Sequence, residues 1–247
     1  MLKALILWPL GLFAATFLLP VAIAGLWWSA QDRPDSWRSA DWGPSGVLPA
    51  AATVPEATIH VMAARTGGPK GAVSVHSWLA IKEAGADRWT RAEVVGWGTP
   101  VRIDAYAPDA RWYSNEPWIV GSVSGDAATR LIPEVRASIA DYPWGGRGDY
   151  VIWPGPNSNT FVGHVLRQVP DLGVTLPPHA VGRDWAGSGL TASVDSGGDL
   201  HVSVSGLAGL SAGPRTGFEV HLLGQALGVD ILRPALKLPG IGRLGSS

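Results

Sequence analysis

The stretch Trp153-Pro154-Gly155-Pro156-Asn157-Ser158-Asn159-Thr160-Phe161 decides how this chain is read. It ends the short β-rich run Tyr150-Val151-Ile152-Trp153, breaks it with a Pro-Gly-Pro turn and opens an amphipathic segment that stops at Pro170. Asn157, Ser158 and Asn159 are all residue types that cap helices, and Phe161, Val165 and Val169 recur at helical spacing. The pattern predicts a helix with Ser158 at or just inside its N-terminus. Free backbone N–H groups and the helix dipole favour negative charge there. That position serves a nucleophile or a bound anion, and it is also where any ordinary helix needs a cap.

Working back from this helix, Asp126 to Tyr142 carries a second helical stripe of Leu131, Ile132, Val135 and Ile139, with Pro133 expected near its start. Further upstream, Thr58 to Ala63 has strand character, and Arg65 to Gly71 is a glycine-rich loop. Ala72 to Lys82 then alternates, which puts His76 and Trp78 on one face. A turn at Gly85-Ala86-Asp87 returns the chain through Trp89 to Trp97, with Glu93, Val95 and Trp97 on one face of the neighbouring strand. Downstream of Pro170 the composition shifts to Gly, Ser and Leu. Strong alternation at Leu200–Ser205 and Phe218–Leu222 predicts an antiparallel β unit over about 187–238.

Composition sets the outer bounds. The 247 residues suffice for one large domain or two small ones, and a net charge of −1 with 16% charged residues offers no basic footprint for nucleic acid. Cysteine is absent, which removes disulfides, thiolate metal sites and a cysteine nucleophile. Ten of the 13 tryptophans lie after residue 30, as expected of a dense β-rich core or of interfacial binding surfaces. No cofactor is implied.

Ala4 to Trp28 contains no charged side chain and exceeds the roughly 20 apolar residues that a membrane-spanning helix needs. Ala22-Ile23-Ala24 matches a signal-peptidase pattern, but the apolar run is longer than a signal core, so residues 4–28 are read as a retained single-pass anchor in the cytoplasmic (inner) membrane. Lys3 on one side and Arg33 and Arg38 on the other leave the charge asymmetry undecided. The soluble part is placed on the outer, periplasmic side, as for most N-terminal anchors before a long domain. The resulting division is anchor 1–30, Pro-rich stalk 31–57, α+β core 58–170, and connector with β-rich unit 171–247.

The constellation best suited to chemistry is Ser158, His76 and Glu93: a hydroxyl at a helix start, an imidazole base and a carboxylate to orient it. Helix-start N–H groups would hold a developing oxyanion. Asn157 and Asn159 would orient a substrate, Trp78 and Trp97 would line the groove, and Arg65 would meet an anionic headgroup or carboxylate. Each has a plainer alternative: a cap for Ser158 and the two asparagines, a satisfied strand histidine for His76, a solvated carboxylate for Glu93. His201, Glu219 and His221 share the polar faces of two strands and are read as ordinary solvated side chains, so no metal site is assigned.

Asn157-Ser158-Asn159-Thr160-Phe161 resembles the Asn-Cys-Asn-x-Phe nucleophile motif of circularly permuted papain-like proteins, the relatives of NlpC-type peptidases, in which the His-bearing strand precedes the nucleophile helix. Val75-His76-Ser77-Trp78 stands in the matching order, with serine where that family has cysteine. The resemblance implies a permuted papain-like α+β core and an amide or ester substrate in the cell envelope, such as a peptidoglycan peptide or a lipid. A longer set, including Ala64-Arg65-Thr66-Gly67-Gly68, Glu93-Val94-Val95-Gly96-Trp97-Gly98, Trp153 to Phe161 and Leu236-Lys237-Leu238-Pro239-Gly240, is similar to the bacterial domain-of-unknown-function family 3750, over about residue 31 to the end. That family has no assigned activity.

Overall fold

A computed structural model describes residues 2–245, with side chains from residue 7 onward; the Lys3 side chain lies outside the described set. The chain opens with a near-continuous helix: α1 (Leu2–Phe13), a π-helical turn (Ala14–Leu18) and α2 (Leu19–Ser29). Leu7–Ser29 is apolar and long enough to cross a membrane, and little of it is covered by the rest of the protein. At about 1.5 Å per residue it spans roughly 34 Å, against a hydrocarbon core of about 30 Å. Its last turns are seated on the body. Trp28 is buried and its indole N–H donates to the Gly68 carbonyl at 3.0 Å. Beyond the helix, residues 31–57 lack long elements yet lie against the core, where Arg111 N–H donates to Gly43 O and Ser114 N–H to Asp41 O, and Leu48 and Ala51 are buried.

The core sheet has the order β4-β3-β2-β1-β5, all neighbours antiparallel. Its strands are β1 (Thr58–Arg65), β2 (Val75–Lys82), β3 (Thr90–Val94), β4 (Val101–Ile103) and β5 (Trp118–Ser124). Alternation divides its residues between two layers. Ile59, Val61, Val75, Leu79 and Ala92 pack beneath α3 (Gly125–Ala140) and α4 (Ser158–Gln168), where Ile132, Val135, Phe161 and Val165 are sealed from solvent. Met62, Ala64, Trp78 and Ala80 face the opposite way, into a layer closed by Leu48, Ala51, Trp89 and Trp112. Residues 31–57 therefore form part of the lid over the second layer.

Two local expectations give way. Pro133 lies in the middle of α3 rather than near its start. Tyr150–Trp153 is not a strand: Val151 N–H donates back to Pro156 O at 2.8 Å, because prolines at 154 and 156 supply no ladder donors and the chain folds onto itself instead.

A second, seven-stranded antiparallel sheet follows a connector that includes the short 3₁₀ turn Pro170–Leu172. Its strands run in simple sequence order: β6 (Leu190–Val194), β7 (Leu200–Val204), β8 (Ala208–Gly213), β9 (Gly217–Leu222), β10 (Gln225–Asp230), β11 (Ala235–Leu238) and β12 (Gly242–Gly245). The fold is thus α+β, with two antiparallel sheets, a few packed helices and one N-terminal apolar helix.

Candidate functional site

Asn157 caps α4. Its Oδ1 accepts from Asn159 N–H and Thr160 N–H at 2.9 and 3.2 Å, while Thr160 Oγ1 accepts from Asn157 N–H at 3.0 Å, closing a capping box. Ser158 is therefore the first helical residue and not the cap. Its hydroxyl makes no hydrogen bond among the described residues and is not fully sealed from solvent. The cap also commits the N–H groups of Asn159 and Thr160, leaving that of Ser158 as the helix-start donor for an oxyanion.

The position of this helix start follows from a split in the core sheet. β3 pairs with β2 only between Leu79↔Ala92 and Ile81↔Thr90, so Val75 to Trp78 have no strand on that side. The first turn of α4 fills the gap. Asn159 Nδ2 donates to Val75 O at 2.9 Å and to Val181 O at 2.9 Å, and its Oδ1 accepts from Ser77 Oγ at 2.8 Å. The two β2 residues it grips flank His76, and the gripping residue follows Ser158. The imidazole itself has the parity of Trp78 and turns to the second layer, where it meets Trp112, and no hydrogen bond joins Ser158 Oγ to His76.

His76 is held from three sides. Its Nε2 lies 2.7 Å from Glu93 Oε2, its ring stacks on Trp112 with centroids 3.6 Å apart and planes within 6°, and Trp78 lies behind it. Arg91 completes the set, donating from Nη2 to the same Glu93 oxygen at 2.8 Å while its guanidinium covers the Trp78 ring at 4.0 Å. All five side chains are buried, so Glu93 is not a solvated strand carboxylate. Burial lowers the His76 pKa and outweighs the opposing pull of Glu93, with Arg91 lowering it further. Burial alone would raise the Glu93 pKa, but His76 and Arg91 reverse this and keep it below its ordinary value. The resulting state is a neutral imidazole facing an ionised carboxylate. Its Nε2 must then carry the proton and donate it to Glu93, which leaves the Nδ1 lone pair free. Nδ1 has no partner among the described residues and keeps some contact with solvent.

The remaining sequence candidates take supporting positions. Trp97 is the partly exposed aromatic of the set, 6.0 Å from Trp112. Trp78 is fully buried and donates its indole N–H to Pro108 O, so it backs the imidazole and does not line a groove. The amides of Asn157 and Asn159 are committed to the protein itself, Asn157 Nδ2 donating to Ile152 O. Arg65 spends its guanidinium on the carbonyls of Gly71, Ala72 and Gly240, and burial lowers its pKa to about 10. Arg91 and Trp112 escaped the sequence reading. Arg91 was within reach, since it shares strand parity with Glu93 two residues on. Trp112 was not, because its stack on His76 joins positions 36 residues apart through a loop.

In the second sheet Glu219 and His221 are not solvated, and His201 is half-buried. Glu219 and His221 are buried beside Arg183 and Lys237, with which Glu219 pairs. Asp195, Asp199 and His201 also cluster closely enough to offer ligand atoms to one metal ion, but Arg215 already pairs with both carboxylates.

No curated protein and no solved structure matches this chain. One family model does, over residues 56–185, a shorter span than the resemblance from residue 31 onward implied; it takes in the whole core sheet, α3, α4 and the His76–Glu93 pair. Matched over more than half its length, the chain belongs to the family described as protein of unknown function DUF3750.

Proposed function

We propose that this protein is a membrane-anchored hydrolase or acyltransferase acting on an amide or ester of the cell envelope. Ser158 is the nucleophile, His76 the base and Glu93 the group that orients it. The observation that carries this reading is the free Nδ1 of a neutral His76 whose Nε2 is tied to Glu93 at 2.7 Å, on the strand whose flanking residues Val75 and Ser77 are gripped by the start of α4. Ser158, relieved of capping by Asn157, would pass its proton to Nδ1 as Oγ attacks the carbonyl carbon, and its own N–H would meet the oxyanion. Trp97 would flank the approach. Arg65, Asn157 and Asn159 hold the scaffold, and Trp78 backs the base. The papain-like order of histidine strand before nucleophile helix supports the same assignment. The retained anchor and the outer-side placement of the body are part of the proposal; retention is supported by Val21 and Ala24, at and before the cleavage pattern, which lie against Gly240 of the body.

The test is labelling of the full chain in membranes with a fluorophosphonate, which traps activated serines. Wild type should label at Ser158, Ser158→Ala should not, and His76→Ala should slow labelling by roughly 10²–10⁴-fold, the usual worth of a general base. Labelling that ignores both substitutions, or its absence from folded wild type, would favour the second reading, a binding module in which the buried His76–Glu93–Arg91 set is structural. That reading draws on the missing Ser158–His76 hydrogen bond.

A further inference from the structure

The second sheet is built inside out. An antiparallel sheet on a soluble protein turns its apolar side chains to the core and its polar ones to water. Here the registers give the opposite. Ala192, Val202, Leu210, Val220 and Leu227 form one cross-strand ladder, and Phe218, Val229, Leu236 and Leu244 form another. These ladders lie on the outer face, where Val194 is 66% and Val220 46% exposed. The intervening residues point inward, with Ser211, Glu219, His221 and Lys237 buried. No charged residue occupies the outer positions of β6 to β12.

Apolar-out, polar-in alternation is the pattern of strands that face lipid. The seven strands make a face of roughly 33 by 17 Å, about 560 Å² in plan. That is at the upper end of the largest apolar patch on a soluble monomer, about 300–600 Å² of accessible surface, and patches of that size are often functional. The polar face is no accident of this sheet, since Glu219 there is satisfied by Arg183 and Lys237.

What covers the outer face is indicated by its neighbour. The turn joining β11 to β12 is seated on the apolar N-terminal helix: a Cβ on Gly240 would lie 3.0 Å from Ala24 Cβ and 3.4 Å from Val21 Cα. Arg65, beside Trp27 of the same helix, donates to the Gly240 carbonyl. The sheet is thereby fastened to the segment long enough to cross a bilayer, within about one strand length of it.

We infer that the outer face of the β6–β12 sheet rests on the lipid bilayer, so that the protein is held by a helix through the membrane and by a sheet upon it. The sheet lies flat at the interface and does not span. Its edge strand β6 has a strand neighbour on one side only among the described residues, an open edge that hydrocarbon would not accept, whereas a flat face enters only about 5–10 Å. This surface lies outside residues 56–185 and does not depend on the reaction proposed above.

The absence of cysteine makes the test direct. Val194→Cys, Val220→Cys and Leu236→Cys, on three different strands, are each spin-labelled in the full chain and reconstituted into phosphatidylethanolamine–phosphatidylglycerol vesicles. Arg88→Cys, on the exposed β2–β3 turn, is the control. The ratio of accessibility to oxygen over accessibility to a water-soluble nickel chelate should be several-fold higher at the three face positions than at Arg88→Cys. Nickel accessibility equal to the control would overturn the inference, because the face would be in water. So would labels closed to both reagents, and dipolar broadening between chains would then identify a second copy as the cover. Near-UV circular dichroism of each variant establishes that it is folded, and three independent positions guard against the loss of one.

Discussion

At the scale of single residues, Arg91 sets the state of the base. Its guanidinium touches the Glu93 oxygen that His76 also uses, so it both holds that carboxylate ionised and makes a positive imidazole unwelcome. Removing it relieves the second effect. In Arg91→Met the His76 pKa should rise from its lowered value, since Glu93 would then face His76 alone. The His76 ring resonance, followed against pH in detergent micelles, should titrate at higher pH than in wild type. The sign matters for the proposed chemistry: a base that protonates at higher pH loses function over more of the acid range, so labelling at Ser158 should fall off at higher pH too. The substitution also strips a buried carboxylate of a partner, and such losses cost about 3–5 kcal/mol. Arg91→Lys will not rescue it fully, because an ammonium cannot both bond Ala107 O and lie flat on Trp78 as the guanidinium does.

At the scale of elements, the junction of α4 with β2 rests on one side chain. Asn159 spans from the helix to Val75 O, Val181 O and Ser77 Oγ, all in buried surroundings. Asn159→Ala would leave these three groups without that partner, at about 1–3 kcal/mol for each buried group that finds no substitute. Its urea midpoint should drop well below that of Asn157→Ala, which loses a cap typically worth about 1 kcal/mol. Near-equal midpoints would show that Asn159 is not the clamp. This part of the fold was half legible. Alternation in Ala72–Lys82 and Trp89–Trp97 placed the β2–β3 hairpin and put His76 and Trp78 on one face, because period two is local information. The capping pattern placed α4 within a residue. The gap beside Val75 was not legible, since it arises from β3 turning away after Ala92 to pair with β4. The second sheet shows the same limit. Its strands were readable from alternation, but the pattern does not say which face is inside. Placing the polar face in water turned Glu219 and His221 out, when both are buried.

At the scale of the whole molecule, buried histidines govern acid stability. All six have pKa values lowered in the folded state, with burial the leading cause in each. His179 is the extreme case: it is 3% exposed, neither ring nitrogen has a partner among the described residues, and its pKa falls to about 3. The unfolded chain, with histidines near 6.5, binds more protons than the folded one wherever pH lies between the folded value and 6.5. Stability is therefore whole above about pH 6.5 and is lost as pH falls below it. Between pH 6.5 and 5, a histidine that stays neutral in the fold contributes a loss of about 2 kcal/mol, from about 1.4 kcal/mol per pH unit. The carboxylates Glu93, Asp195, Glu219 and Asp230, also lowered, lose their contributions only at more acidic pH. The thermal midpoint in detergent should hence fall steeply from pH 7 to 5, before the contributions of those four carboxylates are lost. His179→Leu keeps an apolar side chain of similar size against Trp118 and removes the group that must charge on unfolding. Its midpoint should fall less over the same interval, so that the gap between variant and wild type widens as the solution is acidified. Parallel curves for the two proteins would mean that His179 finds a partner or a proton in the fold, and the acid limb would then belong to the other five.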